Sequence, residues 1–143
     1  MDFIISSDAS LLDIDAIHAY LSRSYWAKHI SRELVERSIQ GALCFGVYTP
    51  ERRQIGFARV ITDRATFGYL SDVYIMEEYQ GTGIGKRLVE AVMAHPDLQG
   101  LRRFVLVTLD AQTLYEKFGF TALASPETYM EIVRRGLYLP GDR

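Results

Sequence analysis

Apolar and polar residues follow two different periods along this chain. Near the N-terminus, apolar positions recur every three or four residues, which predicts two amphipathic helices behind a short strand. From Ala42 onward the period is that of strands, since β-branched and aromatic residues dominate three successive segments. The polar connections between them are short, so we expect an antiparallel meander. The predicted strands are Phe3–Ser6, Ala42–Tyr48, Gln54–Thr62 and Thr66–Ile75, and the predicted helices are Leu11–Ser22 and Ser31–Ile39.

The second part of the chain adds helices between further strands. An apolar Phe-Val-Leu-Val run predicts a strand that is buried on both faces. The order βααβββαβαββ predicts a single α/β domain over residues 1–143, with a mixed, mostly antiparallel sheet flanked by helices. The predicted elements are helices at Ile84–Ala94 and Ala111–Phe118, a strand at Arg103–Leu109, and closing strands at Phe120–Leu123 and Thr128–Arg134.

Composition limits the classes of partner. Apolar residues make up 48% of the 143 residues and charged residues 24%, as in ordinary globular domains. The formal charge is −2, from 16 basic and 18 acidic residues, so no general affinity for nucleic acid or anionic membranes is expected. No stretch resembles a secretory signal or approaches the ~20 apolar residues that span a bilayer. We therefore expect a cytoplasmic protein.

Cys44 is the only cysteine, which excludes an internal disulfide and a cysteine-based zinc cluster. Its neighbours are apolar, so a buried and reduced thiol is favoured. No metal site is expected.

A glycine-rich loop between the meander and the next helix carries the clearest chemical signal. Glycines let the backbone adopt positive φ and let a ligand approach the main chain closely. Free N–H groups at the start of the following helix carry partial positive charge, which favours anions. The loop therefore predicts a cradle for a phosphate or pyrophosphate. Its residues are Gln80, Gly81, Thr82, Gly83, Ile84, Gly85 and Lys86.

Two commoner phosphate-binding motifs do not fit this loop. A P-loop needs Gly where the chain has Gln80, and Ser or Thr where it has Arg87. The dinucleotide-binding fingerprint needs a third Gly where Lys86 stands, and an acidic residue about where Arg102 and Arg103 stand. A bare turn is disfavoured, because three glycines in one turn raise the entropy cost of folding.

Two motifs together point to one family. Gln80–Gly85 matches the pattern Gln/Arg-x-x-Gly-x-Gly/Ala, and a second run matches Ala-x-x-Leu-Tyr-Glu-Lys-x-Gly-Phe. The matching residues of the second run are Ala111, Leu114, Tyr115, Glu116, Lys117, Gly119 and Phe120. With both motifs in this order and at this separation, the chain resembles the GNAT superfamily of N-acetyltransferases, most strongly over residues 66–122.

The resemblance implies a fold and a donor site. The fold is a mixed sheet in which a central pair of strands splays apart. The loop amides from Gly81 to Lys86 would hold the pyrophosphate of acetyl-coenzyme A, while Gln80 shapes the loop. Main-chain groups of Val73 and Ile75 would bind the pantetheine arm and the acetyl carbonyl. The asparagine that many members carry seven residues before the motif tyrosine is replaced here by Thr108.

The resemblance also implies catalytic and acceptor residues. Tyr115 would protonate the departing thiolate, although an aromatic residue there would also pack the helix on the sheet. The motifs do not name a general base, and Asp72 and His29 are the candidates. Asp72 could instead only make a hydrogen bond at the end of its strand, and His29 could instead be a solvated loop residue. The family places part of its acceptor site in a segment that corresponds here to Tyr25, Trp26 and His29. Packing in a small secondary hydrophobic cluster is an equal alternative for Trp26.

These observations favour an N-acetyltransferase in which a primary amine attacks acetyl-coenzyme A directly in a ternary complex. The acceptor would be a small molecule or a peptide. One alternative is a non-catalytic acyl-coenzyme A sensor of the same fold, which needs the loop but not Tyr115. Another is a structural protein with a degenerate loop. Members of the family often associate with copies of themselves, and the stretch from Tyr129 to Leu139 is rich in apolar residues. Together these predict a homodimer.

Overall fold

The computed structural model describes residues 2–139. The strands are β1 (Ile4–Ser6), β2 (Leu43–Tyr48), β3 (Gln54–Thr62), β4 (Phe67–Ile75) and β5 (Arg103–Leu106). The α-helices are α1 (Ile14–Leu21), α2 (Arg32–Gln40), α3 (Ile84–Ala94) and α4 (Gln112–Glu116). Short 3-10 helices lie at Ala9–Leu11, Glu77–Tyr79, Pro96–Leu98 and Pro126–Thr128.

The strands form one sheet in chain order, from β1 to β5. Neighbours from β1 to β4 are antiparallel, as the short polar connections predicted, and β5 is parallel to β4 across the α3 crossover. The predicted α/β class, with a mixed and mostly antiparallel sheet flanked by helices, is confirmed.

The strands β4 and β5 splay apart. They pair only where Phe67–Leu70 lies beside Arg103–Leu106. Beyond Leu70, β4 continues to Ile75 with β3 on one side and, in the part of the chain that the structure describes, no strand on the other. The gap therefore opens at the end of β4, where the glycine loop begins.

Each face of the sheet carries its own core, because successive side chains of a strand point to opposite faces. Phe45 packs on the α3 side, in a cluster that includes Leu88. Its neighbour Cys44 packs on the α1 and α2 side, with Ile17 and Val35. The thiol is therefore buried, as its apolar surroundings predicted.

Helix starts follow side-chain capping. Ser31 caps α2, since its Oγ accepts a hydrogen bond from the Leu34 N–H at 3.2 Å. The first helix begins later than its predicted start at Leu11, because Asp13 caps it; the Asp13 carboxylate accepts from the Ala16 N–H at 3.1 Å.

The C-terminal part differs from the prediction. Phe120–Leu123 and Thr128–Arg134, predicted as closing strands, form no strand in the described structure. β5 is shorter than its predicted range, and it is only half-buried because it is the outermost described strand of the sheet. Strand-forming composition makes a segment fit for a sheet, but pairing needs a neighbouring strand.

Candidate functional site

The glycine loop has the backbone geometry that its sequence predicted. Gly81 has φ 79° and Gly83 has φ 83°, both in the left-handed region. Gly83 is the N-cap of α3. A Cβ built on either glycine would meet no atom of the described chain within 4 Å, so the space beside this backbone is open to a ligand.

The start of α3 presents unpaired main-chain donors. The first hydrogen bond of the helix runs from the Arg87 N–H to the Gly83 carbonyl, at 3.2 Å. The preceding amides of Ile84, Gly85 and Lys86 therefore have no acceptor within the helix. The first turn contains no acidic residue, and the Lys86 side chain is exposed. This end of α3 has the charge and donors that bind an anion.

Two side chains hold the loop in shape. The Gln80 Nε2 donates to the Ile75 carbonyl at 2.8 Å. The Thr82 Oγ1 donates to the Tyr79 carbonyl at 2.6 Å. The first bond ties the loop to the end of β4 and the second ties it to the preceding 3-10 helix, and neither involves a main-chain amide of the loop.

Main-chain groups at the end of β4 point into the gap between the splayed strands. The Met76 N–H donates to the Ile55 carbonyl at 2.8 Å, which makes the neighbouring pair of Gly56 and Ile75 a non-hydrogen-bonded one. The N–H of Ile75 therefore faces the gap, while its carbonyl is engaged by Gln80. By strand alternation, the main chain of Val73 faces the same way.

Asp72 lies at a β-bulge in β4. Ala58 of β3 stands opposite both Asp72 and Val73, and Asp72 has φ 52°. Its side chain is 8% exposed and its Oδ2 accepts from the Arg59 Nε at 2.8 Å. The other oxygen, Oδ1, accepts from the Trp26 Nε1 at 2.8 Å. The bulge thus turns one carboxylate toward both an arginine and the predicted acceptor segment.

The predicted acceptor segment, which contains Tyr25, Trp26 and His29, lies between α1 and α2. Tyr25 and Trp26 are 66% and 41% exposed, and their rings meet edge to face at 5.0 Å. His29 is also exposed and has φ 69°. The segment is tied to β4 through Trp26 and Asp72, and to the 3-10 helix before the loop through the Arg23–Glu77 ion pair.

Tyr115 lies on α4. It is 8% exposed, and its ring packs edge to face on Phe120 at 6.0 Å. Burial raises the pKa of the Tyr115 phenol, and the nearby Tyr25 hydroxyl raises it further.

Sequence reasoning missed one residue of this site, Arg59. Its guanidinium is 15% exposed and pairs with Asp72. It is a lone charge within the otherwise apolar run that forms most of β3. That pattern was a usable signal, because a charged residue in a buried strand nearly always has a partner.

Between residues 2 and 139, no three His, Cys, Asp or Glu side chains gather closely enough to hold a metal ion. In the same range, no helix has the length and apolar character that crossing a membrane requires.

Comparison with known proteins indicates one family. Residues 8–135 match the family model described as an acetyltransferase (GNAT) domain. A protein of Gibberella zeae named "Putative acetyltransferase" is 36% identical over 138 aligned positions, which cover 81% of this chain and 77% of the relative.

Solved structures agree on the fold. A crystal structure from Xanthomonas campestris, described as a "putative acetyltransferase belonging to the gnat family", is 51% identical with a TM-score of 0.94, and covers 97% of this chain and 98% of its own. Glucosamine-6-phosphate N-acetyltransferase from Arabidopsis thaliana has a TM-score of 0.64 at 15% identity, over 94% of this chain and 98% of its own. At that identity the likeness concerns the fold alone.

Proposed function

Because the chain belongs to the GNAT acetyltransferase family, we propose that it moves the acetyl group of acetyl-coenzyme A to a primary amine, by direct attack in a ternary complex. One observation carries the proposal: open glycine backbone and unpaired helix amides follow the splayed strand β4.

The residues of the loop fit the pyrophosphate of acetyl-coenzyme A. The amides from Gly81 to Lys86 would donate to it, and Lys86 would add a positive charge. The Ile75 N–H and the Val73 main chain would hold the pantetheine arm and the acetyl carbonyl. When bound, acetyl-coenzyme A supplies a thioester whose carbonyl carbon accepts the amine.

Tyr115 serves as the general acid in this proposal. As the amine nitrogen bonds to the acetyl carbon and the carbon–sulfur bond breaks, the phenol gives its proton to the sulfur. Burial raises the pKa of Tyr115, so the phenol keeps its proton over a wider pH range than an exposed tyrosine does. That is the protonation state an acid requires.

Direct attack fits this chain better than an acyl-cysteine route. Cys44 is buried, and burial raises the pKa of its thiol to about 11. A thiol with that pKa is almost wholly protonated near neutral pH, and the thiolate is the nucleophilic form.

Asp72 remains the candidate base. Each of its oxygens accepts one hydrogen bond and keeps a further lone pair, so it would take the ammonium proton through a water held at the cleft. His29 is the second candidate, because an imidazole can accept a proton and this side chain is exposed on the acceptor segment. Replacing each by a neutral residue separates them: only the true base should change the acidic limb of the pH–rate profile.

Tyr25, Trp26 and His29 would form the acceptor wall. An exposed indole and phenol attract an ammonium group through cation–π interactions, which suits an amine that arrives protonated. The acceptor is therefore expected to be a primary amine on a small molecule or a peptide.

The proposal is tested in two steps with the full chain. First, coenzyme A should raise the melting temperature, because it binds only the folded state. Second, free thiol release from acetyl-coenzyme A should depend on one or more members of a primary-amine panel. A melting shift without amine-dependent thiol release would favour an acyl-coenzyme A sensor. No shift at all would reject the donor site.

A further inference from the structure

An apolar patch lies on the part of the sheet that α1 and α2 leave uncovered. The cluster beneath these helices takes Cys44 from β2, Phe57 from β3 and Tyr74 from β4, and among the described residues it includes none from β5. On the same face, nearer the start of β4, five apolar side chains belong to neither core cluster of the described chain. We call them the sheet patch, and they are Ile61, Phe67, Tyr69, Val105 and Val107.

The strand register places the patch residues side by side. Ile61 pairs with Tyr69, and Tyr69 pairs with Val105, so an apolar row crosses three strands. Leu70, the next residue of β4, is buried in the cluster beneath α3, so Tyr69 points to the opposite face. Ile61 is 43% exposed and Val107 is 80% exposed. Contiguous exposed apolar side chains of this kind mark binding sites.

One end of the sheet patch lies at the mouth of the gap between β4 and β5. These strands stop pairing after Leu70 and Leu106, so Val107 is the first residue of the chain beyond their last pair. Val107 and Tyr115 line the same cavity, which has a volume of about 370 Å³. The patch therefore reaches the space that the proposed acid also lines.

The patch is also continuous with the predicted acceptor segment. Arg59 lies two residues before Ile61 in β3, so its side chain is on the same face. The Arg59 guanidinium binds the Asp72 carboxylate, which in turn accepts from the Trp26 indole. Polar groups thus border the patch at its gap end.

An acceptor amine can reach an acetyl group in this gap from only one face of the sheet. On the other face α3 fills the space, since Ile84, Leu88 and Val92 are at most 2% exposed. The amine must therefore approach across the face that carries the sheet patch.

We propose that the acceptor is a small primary amine carrying an aromatic or branched aliphatic group, and that this group packs on the sheet patch while the ammonium group faces Asp72 and Trp26. The inference rests on the proposed function, because it names the acceptor class of that same site. Charge supports this orientation, since the patch has no charged side chain and the Asp72 carboxylate lies at its gap end. Size supports a small molecule, because five side chains offer much less than the ~800 Å² that each partner of a stable protein interface buries.

The first test compares primary amines of equal charge that differ in their attached group. Thiol release from acetyl-coenzyme A is measured with 2-phenylethylamine, 3-methylbutylamine, ethylamine and 2-aminoethanol. We expect kcat/KM for the first two to exceed that for 2-aminoethanol by roughly 30-fold or more, because only they bury a large apolar surface. Equal kcat/KM values across the panel would overturn the inference and leave the proposed function intact.

The second test changes the patch. Ile61→Thr keeps a branched β-carbon but replaces apolar surface by a hydroxyl. The KM for 2-phenylethylamine should rise about fivefold or more, while the KM values for 2-aminoethanol and acetyl-coenzyme A stay within about twofold. Ile4→Thr is the matched control, because Ile4 is also a strand isoleucine and is 49% exposed.

Two results of the second test would reject the patch as the acceptor site. One is equal kinetics in the Ile61→Thr and Ile4→Thr variants. The other is a lower mass of Ile61→Thr in analytical ultracentrifugation with unchanged amine kinetics, which would assign the patch to contact with a second copy.

The third test needs no turnover. Trp26 is the only tryptophan of the chain, so its fluorescence reports amine binding at the acceptor segment. With coenzyme A present, the midpoint for 2-phenylethylamine should lie about tenfold or more below that for ethylamine, and Ile61→Thr should raise it. If this selectivity held while no amine released thiol, acetyl transfer would be rejected and the patch would still bind the amine. Equal midpoints for the two amines would overturn the inference whatever the turnover.

Discussion

The two halves of the candidate site are built in different ways. The proposed donor half consists of main-chain groups, namely the positive-φ glycines of the loop, the first amides of α3 and the end of β4. The proposed acceptor half depends on side chains from distant parts of the sequence, since Trp26 of the acceptor wall donates to Asp72, which pairs with Arg59.

This difference separates two functions. Main-chain amides recognise a phosphate without reference to the rest of the ligand, so the donor half suits a cosubstrate that never changes. Side chains can be exchanged without moving the backbone, so the acceptor half is where specificity can vary.

Of the four variants, Asp72→Ala should lower the stability of the protein most, because it removes the carboxylate that pairs with Arg59. It leaves the Arg59 guanidinium, 15% exposed, without its carboxylate. Removing one partner of a buried ion pair costs about 3–5 kcal/mol, measured as the free energy of unfolding in denaturant. Asp15→Ala is the matched control, because its pair with Arg32 is 82% and 50% exposed and should be worth less than about 1 kcal/mol. If the two variants lost the same free energy of unfolding, the buried pair of Arg59 and Asp72 would not be worth more than an exposed pair.

Tyr115→Phe should lower turnover by roughly 10²-fold, in the range that general acids supply. Coenzyme A affinity should stay within about twofold, because the loop amides are untouched. Since burial raises the pKa of Tyr115, the alkaline limb of the wild-type profile should lie above the ordinary tyrosine value of about 10 and vanish in the variant. Tyr69→Phe, on the paired part of β4, controls for loss of a phenol. A Tyr115→Phe enzyme with near-normal turnover would assign the tyrosine to packing only.

Gly83→Val should remove most of the melting shift caused by coenzyme A. A β-branched residue is strained at φ 83°, at a cost of about 1–3 kcal/mol, and its side chain would occupy the open space beside the loop. Gly100→Val is matched in backbone strain, with φ 73° and nothing within 4 Å of a new Cβ, but lies away from the loop. It should lose similar stability and keep the shift. If both variants kept it, the donor half would have to lie elsewhere.

Trp26→Phe should have the smallest effect on stability and a selective one on kinetics. It removes the indole hydrogen bond to Asp72, worth about 1 kcal/mol. The KM for the amine should rise while the KM for acetyl-coenzyme A stays constant. Glu77→Gln, which breaks the exposed tie to Arg23, should change neither by more than about twofold. Parallel changes in both KM values would contradict the division of the site into two halves.

The sequence predicted the donor half because its information is local. A strand followed by Gly81, Gly83 and a helix start defines a backbone path, and the structure has that path. Most helices and strands were predicted for the same reason, since period and capping act over a few residues. The roles of the loop amides and of Tyr115 rest on the family resemblance and stay predictions.

The acceptor half was not predictable in the same way. Trp26 and Arg59 lie far apart in the sequence. Nothing in the residues around either of them indicates that both side chains would donate to Asp72. The bulge that turns Asp72 toward them depends on how β4 pairs with β3. The predicted closing strands did not form: Thr128–Arg134 has the composition of a strand, but it pairs with no strand of the described chain.

By itself, the sequence determined most of the segments that form helices and strands, where the glycine loop takes positive φ, and to which family the chain is similar. These properties follow from steric limits and hydrophobic periods that act between residues close in the chain. The tertiary structure alone decided that Asp72 is held between Arg59 and Trp26, that β4 and β5 separate after Leu70, and that β5 is left with an open edge. Those outcomes depend on which distant groups can satisfy one another's charges and hydrogen bonds, and that is settled only when the chain has packed.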